Sequence, residues 1–263
     1  MTGFSLQWFG GSAERRFRRD RKPVEIDFAL LDPADHPPEI VRAARAAWTY
    51  GAYQEYCTGA AFAAIQGALL QAGAPIDLIA VAAGFVEDEM LHAELNARVA
   101  LALGGGISPP VDLAKVTPRT SGGPLEAALS LVVQTCCVGE AFSVPILAGT
   151  ARAATHPVVR AVLKRIAKDE AAHASFGGWV LDWATPLLDD SLRRHLGEVA
   201  SAALRRFERQ RSELPLDRDH PSIAALGWLS ASAWDQTAER AISELVVAPL
   251  EARGIPVETA GIP

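Results

Sequence analysis

Two short stretches of the chain, Glu87–His92 (EDEMLH) and Lys168–His173 (KDEAAH), carry the residue types best suited to chemistry. Both contain Asp-Glu-x-x-His. On a helix, residues three apart share a face, so Glu89 with His92, and Glu170 with His173, each aim a carboxylate and an imidazole at one point. Two further glutamates, Glu55 and Glu140, stand in the middle of Ala-rich apolar stretches whose only other acids are Glu39 and Glu126 near their starts. An isolated acid in such a stretch is costly to bury unless it is paired or bound to a metal. Arginines are sparse around these four glutamates, so ion pairing would leave much buried charge unmatched, whereas two divalent ions neutralise it. Carboxylates with imidazole suit iron or manganese better than soft-ligand metals, and zinc takes the same donors.

The elements that must position these residues are helical. Alanine and leucine dominate, aromatic residues make up 7% of the chain, and 49% of the residues are hydrophobic, enough for a continuous core in 263 residues. Residues 1–36 are polar and broken and read as an N-terminal arm. A first helix is predicted from Pro37–Pro38 to about Gln71, stopped by Gly73 and Pro75, and a second from about Pro75 to Leu103, ended by Gly104, Gly105 and Gly106. Residues 104–123 form a connection too long for a tight turn, which lets the chain cross from one end of a bundle to the other. A third helix is predicted from Pro124 to about Ala154, with Pro145 inside it, and a fourth from about Pro157 to Trp183. Two more, about Asp189–Leu214 and Pro221–Arg253, brace the bundle or form a subunit contact. The expected organisation is one helical domain over 37–253, with a core bundle at 37–184 and C-terminal helices at 188–253, followed by a tail at 254–263.

Ligands on an antiparallel hairpin must be nearly equidistant from its turn to meet. Glu55 lies about 18 residues before the first turn and Glu89 about 15 after it, a mismatch of about 4 Å. Glu140 and Glu170 each lie about 15 residues from the second turn. All four levels coincide near mid-bundle. The aspartates preceding the glutamates, Asp88 and Asp169, can accept the other ring N–H of a ligating histidine. The similarity of the two hairpins predicts a crossed pairing, Asp88 with His173 and Asp169 with His92.

One carboxylate from each of two helices, with Glu-x-x-His from each of the others, resembles the ligand set of the ferritin-like di-iron carboxylate family, over roughly residues 38–183. The resemblance implies an all-α, ferritin-like four-helix bundle with a long crossover between helices 2 and 3. It implies Glu55, Glu89, His92, Glu140, Glu170 and His173 as metal ligands, Glu89 and Glu170 bridging and Glu55 and Glu140 terminal. The cofactor it implies is two iron ions, with Mn/Fe or Mn as alternatives. The expected activity is that of a di-iron oxidase or monooxygenase acting with dioxygen on a small organic substrate, served by an electron-donor protein. The alternative is a ferroxidase or iron-handling protein without an organic substrate. A homodimer along a helix face is a further expectation from the family.

Around Glu140, Cys136, Cys137 and Val144 share one side, and Pro145 removes a backbone hydrogen bond where a kink can open space. Small residues Gly59, Ala60, Ala63 and Gly84 leave room for an elongated apolar substrate or serve ordinary helix packing. Trp48, two turns from Glu55, is expected in the core, and Trp228 and Trp234 in the contact of the outer helices with the bundle. There is no pair of CxxC motifs for a rubredoxin module, and the three tyrosines, Tyr50, Tyr53 and Tyr56, all lie on the first helix. The net charge of −6 gives no global attraction for nucleic acid or an anionic membrane. The basic run from Glu14 to Lys22 reads as a solvated arm. Neither a signal peptide nor an uninterrupted apolar span is expected, which with three cysteines in no disulfide pattern suits a cytoplasmic protein.

Overall fold

The computed structural model describes residues 2–3, 6–20, 25–106, 110–212 and 220–259, and they are almost entirely helical. Four long helical segments pack side by side. The first, α2 (Pro38–Gln71), begins with Pro at its first position, and the second, α3 (Ile76–Ala102), follows after a short turn. The third is composite: α4 (Pro124–Val132), a π-helical stretch at Val133–Glu140, and α5 (Ala141–Ala153). The fourth, α6 (Pro157–Ala184), is capped by His156, whose Nδ1 accepts the Val158 N–H at 3.3 Å.

The core divides into two main clusters that reveal the direction of each helix. One gathers the end of α2 (Phe62, Leu69), the start of α3 (Ala82, Phe85), α4 (Leu129) and the end of α6 (Phe176, Leu181). The other gathers the start of α2 (Ile40, Trp48), the end of α3 (Val99), the end of α5 (Ala151) and the start of α6 (Val159, Leu163). Hence α2 and α6 run one way, and α3 and the third segment run the other. The link between α3 and α4 therefore returns along the length of the bundle, about 40 Å for a helix of 27 residues. A two-residue antiparallel pairing ties this link, through β2 (Pro110–Val111), to β1 (Thr2–Gly3). By length and composition the segment Pro124–Ala153 could cross a membrane, but half of its most apolar window is buried against the other helices.

Three expectations are corrected. Part of the arm is ordered: α1 (Gly11–Asp20) is a helix, and Arg18 reaches the buried Glu94 of α3 at 2.9 Å instead of being solvated. The last predicted helix is broken into α8 (Pro221–Ala225), α9 (Ala231–Arg240), a π-helical stretch (Ala241–Val247) and α10 (Ala248–Glu251). The break is at Gly227, whose φ of +100° is a left-handed conformation; a Cβ there would also meet the Trp48 ring at 2.8 Å. Third, the irregularity in the third segment lies before Pro145, not at it: α5 runs through the proline, and the helix departs from α geometry at 133–140. Between α6 and α8, α7 (Asp190–Ser212) occupies most of the predicted Asp189–Leu214 span, whose last two residues lie outside the described residues. Ile255, in the expected tail, is fully buried in the first core cluster.

Candidate metal centre

All six residues singled out as donors converge at the middle of the bundle. Glu55 comes from α2, Glu89 and His92 from α3, Glu140 from the last position of the π-helical stretch, and Glu170 and His173 from α6. They form two groups whose donor atoms lie within 4.8 Å of one another: Glu55, Glu89, His92 and Glu170 in one, and Glu89, Glu140, Glu170 and His173 in the other. Glu89 and Glu170 belong to both. Glu55 is partly exposed as a residue, and the other five are buried.

Close approach of the helices makes this possible. A Cβ on Gly59 would lie 2.6 Å from Met90 Cε and 3.2 Å from Glu89 Cβ, so this glycine closes the α2–α3 contact instead of opening a cavity. On the other side, a Cβ on Gly177 would fall 2.7 Å from Cys137 Sγ and 3.1 Å from its backbone nitrogen. Of the remaining small residues, Ala63 is exposed, Ala60 is partly buried, and the space beside Gly84 is open. Cys136 and Cys137 are buried, and Trp48 is packed in the core with its indole N–H donating to the Leu226 carbonyl at 2.9 Å. Trp234 packs edge-on against Phe142, with ring centroids 6.0 Å apart.

Both imidazoles turn Nδ1 toward the carboxylates and Nε2 toward an aspartate. His173 Nδ1 is 2.6 Å from Glu170 and 3.0 Å from Glu89, and His92 Nδ1 is 3.0 Å from Glu170. His92 Nε2 lies 3.3 Å from Asp169, which also accepts from Arg165 Nε at 2.7 Å, and His173 Nε2 lies 3.6 Å from Asp88. The aspartates thus cross between hairpins. Polar neighbours absent from the sequence reading complete the surroundings: Asn96 donates to the His92 carbonyl at 2.9 Å and approaches Glu55 at 3.5 Å, and Ser143 donates to Glu140 at 3.2 Å. Their positions one turn beyond His92 and Glu140 are the only trace they leave in the sequence. Phe62 and Phe85 wall His173, with ring centroids 5.0 and 4.2 Å from it, and Phe176 packs edge-on behind Phe85.

The electrostatics follow from four carboxyl groups in one buried place. Two like charges 4 Å apart repel by roughly 4 kcal/mol at an effective dielectric constant of 20. Burial, with the charges of Glu89 and Glu170, pushes Glu55 well above the ordinary carboxylate range. Glu140 is raised in the same way by burial, Glu170 and Glu89. Burial opposes the charged form of His173, but the neighbouring carboxylates of Asp88, Glu170 and Glu89 outweigh it and raise the imidazole to about 12. His92 is raised against the same opposition by Asp169, Glu170 and Glu89. Burial likewise works against the charge on Glu170, yet His173 and His92 hold it below its usual value.

Protons do not satisfy the site. Both carboxylate oxygens of Glu89 and Nδ1 of His92 are buried and make no hydrogen bond. Orphaned buried acceptors are expensive, and here they face one another within ligand reach. The donor set fits a metal ion.

Against protein-family profiles, curated proteins and solved structures, the chain has no match. The geometry therefore carries the functional argument. A buried cluster of glutamate and histidine in an all-helical protein is compatible with a di-iron carboxylate protein and can hold metal.

Proposed function

We propose that this protein is a ferritin-like di-metal carboxylate oxidoreductase, with iron as its metal and dioxygen and a small organic molecule as its substrates. The observation that carries this reading is the pair of four-donor groups sharing Glu89 and Glu170. The opposed directions of the helices and the returning link support a ferritin-like four-helix bundle. Glu55 and His92 would complete one metal position, Glu140 and His173 the other, and Glu89 and Glu170 would serve both. When bound, a carboxylate-held iron pair supplies the reduction of dioxygen and the oxidising power for a substrate.

The chain's own residues have definite parts in this. Asp169 accepts the Nε2 proton of His92, and Asp88, 3.6 Å from Nε2 of His173, favours a proton there, leaving Nδ1 as the lone-pair donor. Arg165 fixes Asp169, and Ser143 fixes Glu140. Phe62, Phe85 and Phe176 keep water from the His173 side. A cytoplasmic setting and a separate electron-donor protein belong to the same reading.

The test is metal content of protein purified without chelator, followed by anaerobic iron loading and rapid mixing with oxygen, beside Glu89→Ala. The expected result is two irons per chain and a transient oxygen-dependent absorbance, both lost in the variant. Stoichiometric iron that oxidises and accumulates as a ferric product, with no turnover across a substrate screen, would turn the reading to the ferroxidase alternative. Absence of bound metal in the wild type would end both.

A further inference from the structure

Away from the glutamate–histidine cluster, the arm and the start of α2 enclose an open cleft of about 550 Å³, within the size range of small-molecule sites. Pro33, Ala34, Pro38 and Val41 make its apolar wall, and His36, Arg42 and Arg45 its polar one. No carboxylate is among these lining residues. Arg45 commits its Nε to the Gly105 carbonyl at 2.7 Å, which holds the guanidinium in place and leaves its terminal nitrogens for other partners. Arg42 is exposed on the first turns of α2. His36 Nδ1 lies 3.1 Å from Ser222 Oγ, while its Nε2 is buried with no hydrogen-bond partner. That nitrogen is closed to solvent, so His36 acts on the cleft through its charge and not through a contact of Nε2. Guanidinium groups match the planar, bidentate geometry of carboxylate and phosphate oxygens.

We propose that this cleft binds a small organic anion, a carboxylate or phosphate ester, its charged group held by Arg42 and Arg45 within the field of His36 and its apolar body laid on Pro33, Pro38 and Val41. The site is distinct from the metal centre and independent of the activity proposed for it. His36 is the element that makes it responsive to pH. Burial lowers the tendency of this imidazole to ionise; Asp35 favours its charge, and His156 and His220 oppose it. The groups facing it are thus Asp35 from the arm, Arg42 and Arg45 from α2, His156 before α6 and His220 before α8. A bound anion adds a negative charge to this set, so binding tightens as pH falls and His36 protonates.

Benzoate and acetate, both fully ionised between pH 6 and 8, are the probes, titrated calorimetrically into the full-length protein. The expected result is one saturable benzoate site, tighter at pH 6 than at pH 8, with acetate weaker because it lacks the apolar body. Arg42→Ala should weaken benzoate by roughly tenfold or more, Arg42→Lys by less, and His36→Gln should flatten the pH dependence. Circular dichroism and melting of Arg42→Ala should match the wild type, since the side chain is exposed. Benzoate binding that fails to saturate, or that is equal in wild type and Arg42→Ala, would overturn the proposal, as would equal affinities for benzoate and acetate. Glu140→Ala, which alters the metal centre alone, should leave benzoate binding unchanged.

Discussion

At the scale of single residues, the metal-free cluster is a store of protons. Glu55, Glu140, His92 and His173 all have their pKa values raised, so in the absence of metal each keeps its proton to higher pH than a free side chain of its kind. A metal ion takes only ionised carboxylates and a deprotonated Nδ1, so loading must displace those protons. Apparent metal affinity should therefore rise with pH. Calorimetric titration of ferrous or manganous ion in buffers of different ionisation enthalpy should register net proton release, and a binding enthalpy independent of the buffer would contradict this protonation pattern. The donors themselves were readable in the sequence because an acid in an apolar helix is conspicuous. Asn96, Ser143 and the phenylalanines were not, because polar and aromatic residues at helical spacing are common and only the packing tells which of them reach the ligands.

At the scale of elements, the third helical segment is the least regular of the four, and its irregularity sits at the centre. Glu140 closes the π-helical stretch that begins at Val133, so the wider turn sets where its carboxyl points. The predicted helix boundaries were close to those found, because prolines and glycines punctuate them. The π-helical stretch had no such marker: Pro145 drew attention to the wrong turn. Gly177 is what lets α6 lie against this stretch. Gly177→Ala would place a Cβ 3.1 Å from the Cys137 nitrogen, a backbone atom that cannot swing away as a flexible side chain can. The expected cost is about 1–3 kcal/mol, read as a lower urea midpoint, with a greater loss of metal affinity than in a control such as Ala63→Ser on the exposed side of α2. Unchanged stability and unchanged metal binding would mean that the π-helical stretch adapts freely.

At the scale of the whole molecule, the arm is fastened to the bundle instead of trailing from it. Arg18 pairs with Glu94, stacks over Trp8 at 4.6 Å from the ring centroid, and contacts Glu14. Glu94 is only 5% exposed, and its other cation, Arg98, is 3.8 Å away. Arg18→Ala should therefore cost about 1–3 kcal/mol and make the segment before residue 25 more sensitive to limited proteolysis; the same cleavage rate as wild type would show that the arm is held by its apolar contacts alone. The sequence run ERRFRRDRK suggested a solvated arm because its charge is plain, whereas its partner, Glu94, is one acid among many until α1 is docked on α3.

The sharing of donors between hairpins has a consequence for how the chain tells right assembly from wrong. Each of the two four-donor groups draws on both hairpins, through Glu170 in one and Glu89 in the other. Helical ridges and grooves repeat, so two hairpins of similar composition can also dock displaced along their axes with their apolar faces still covered. A slip of one turn moves a side chain by about 5.4 Å, more than the 4.8 Å that spans each donor group. Hydrophobic burial tolerates that slip, and coordination does not. Metal would thus act as a gauge of alignment, selecting one docked arrangement from a ladder of nearly equivalent ones.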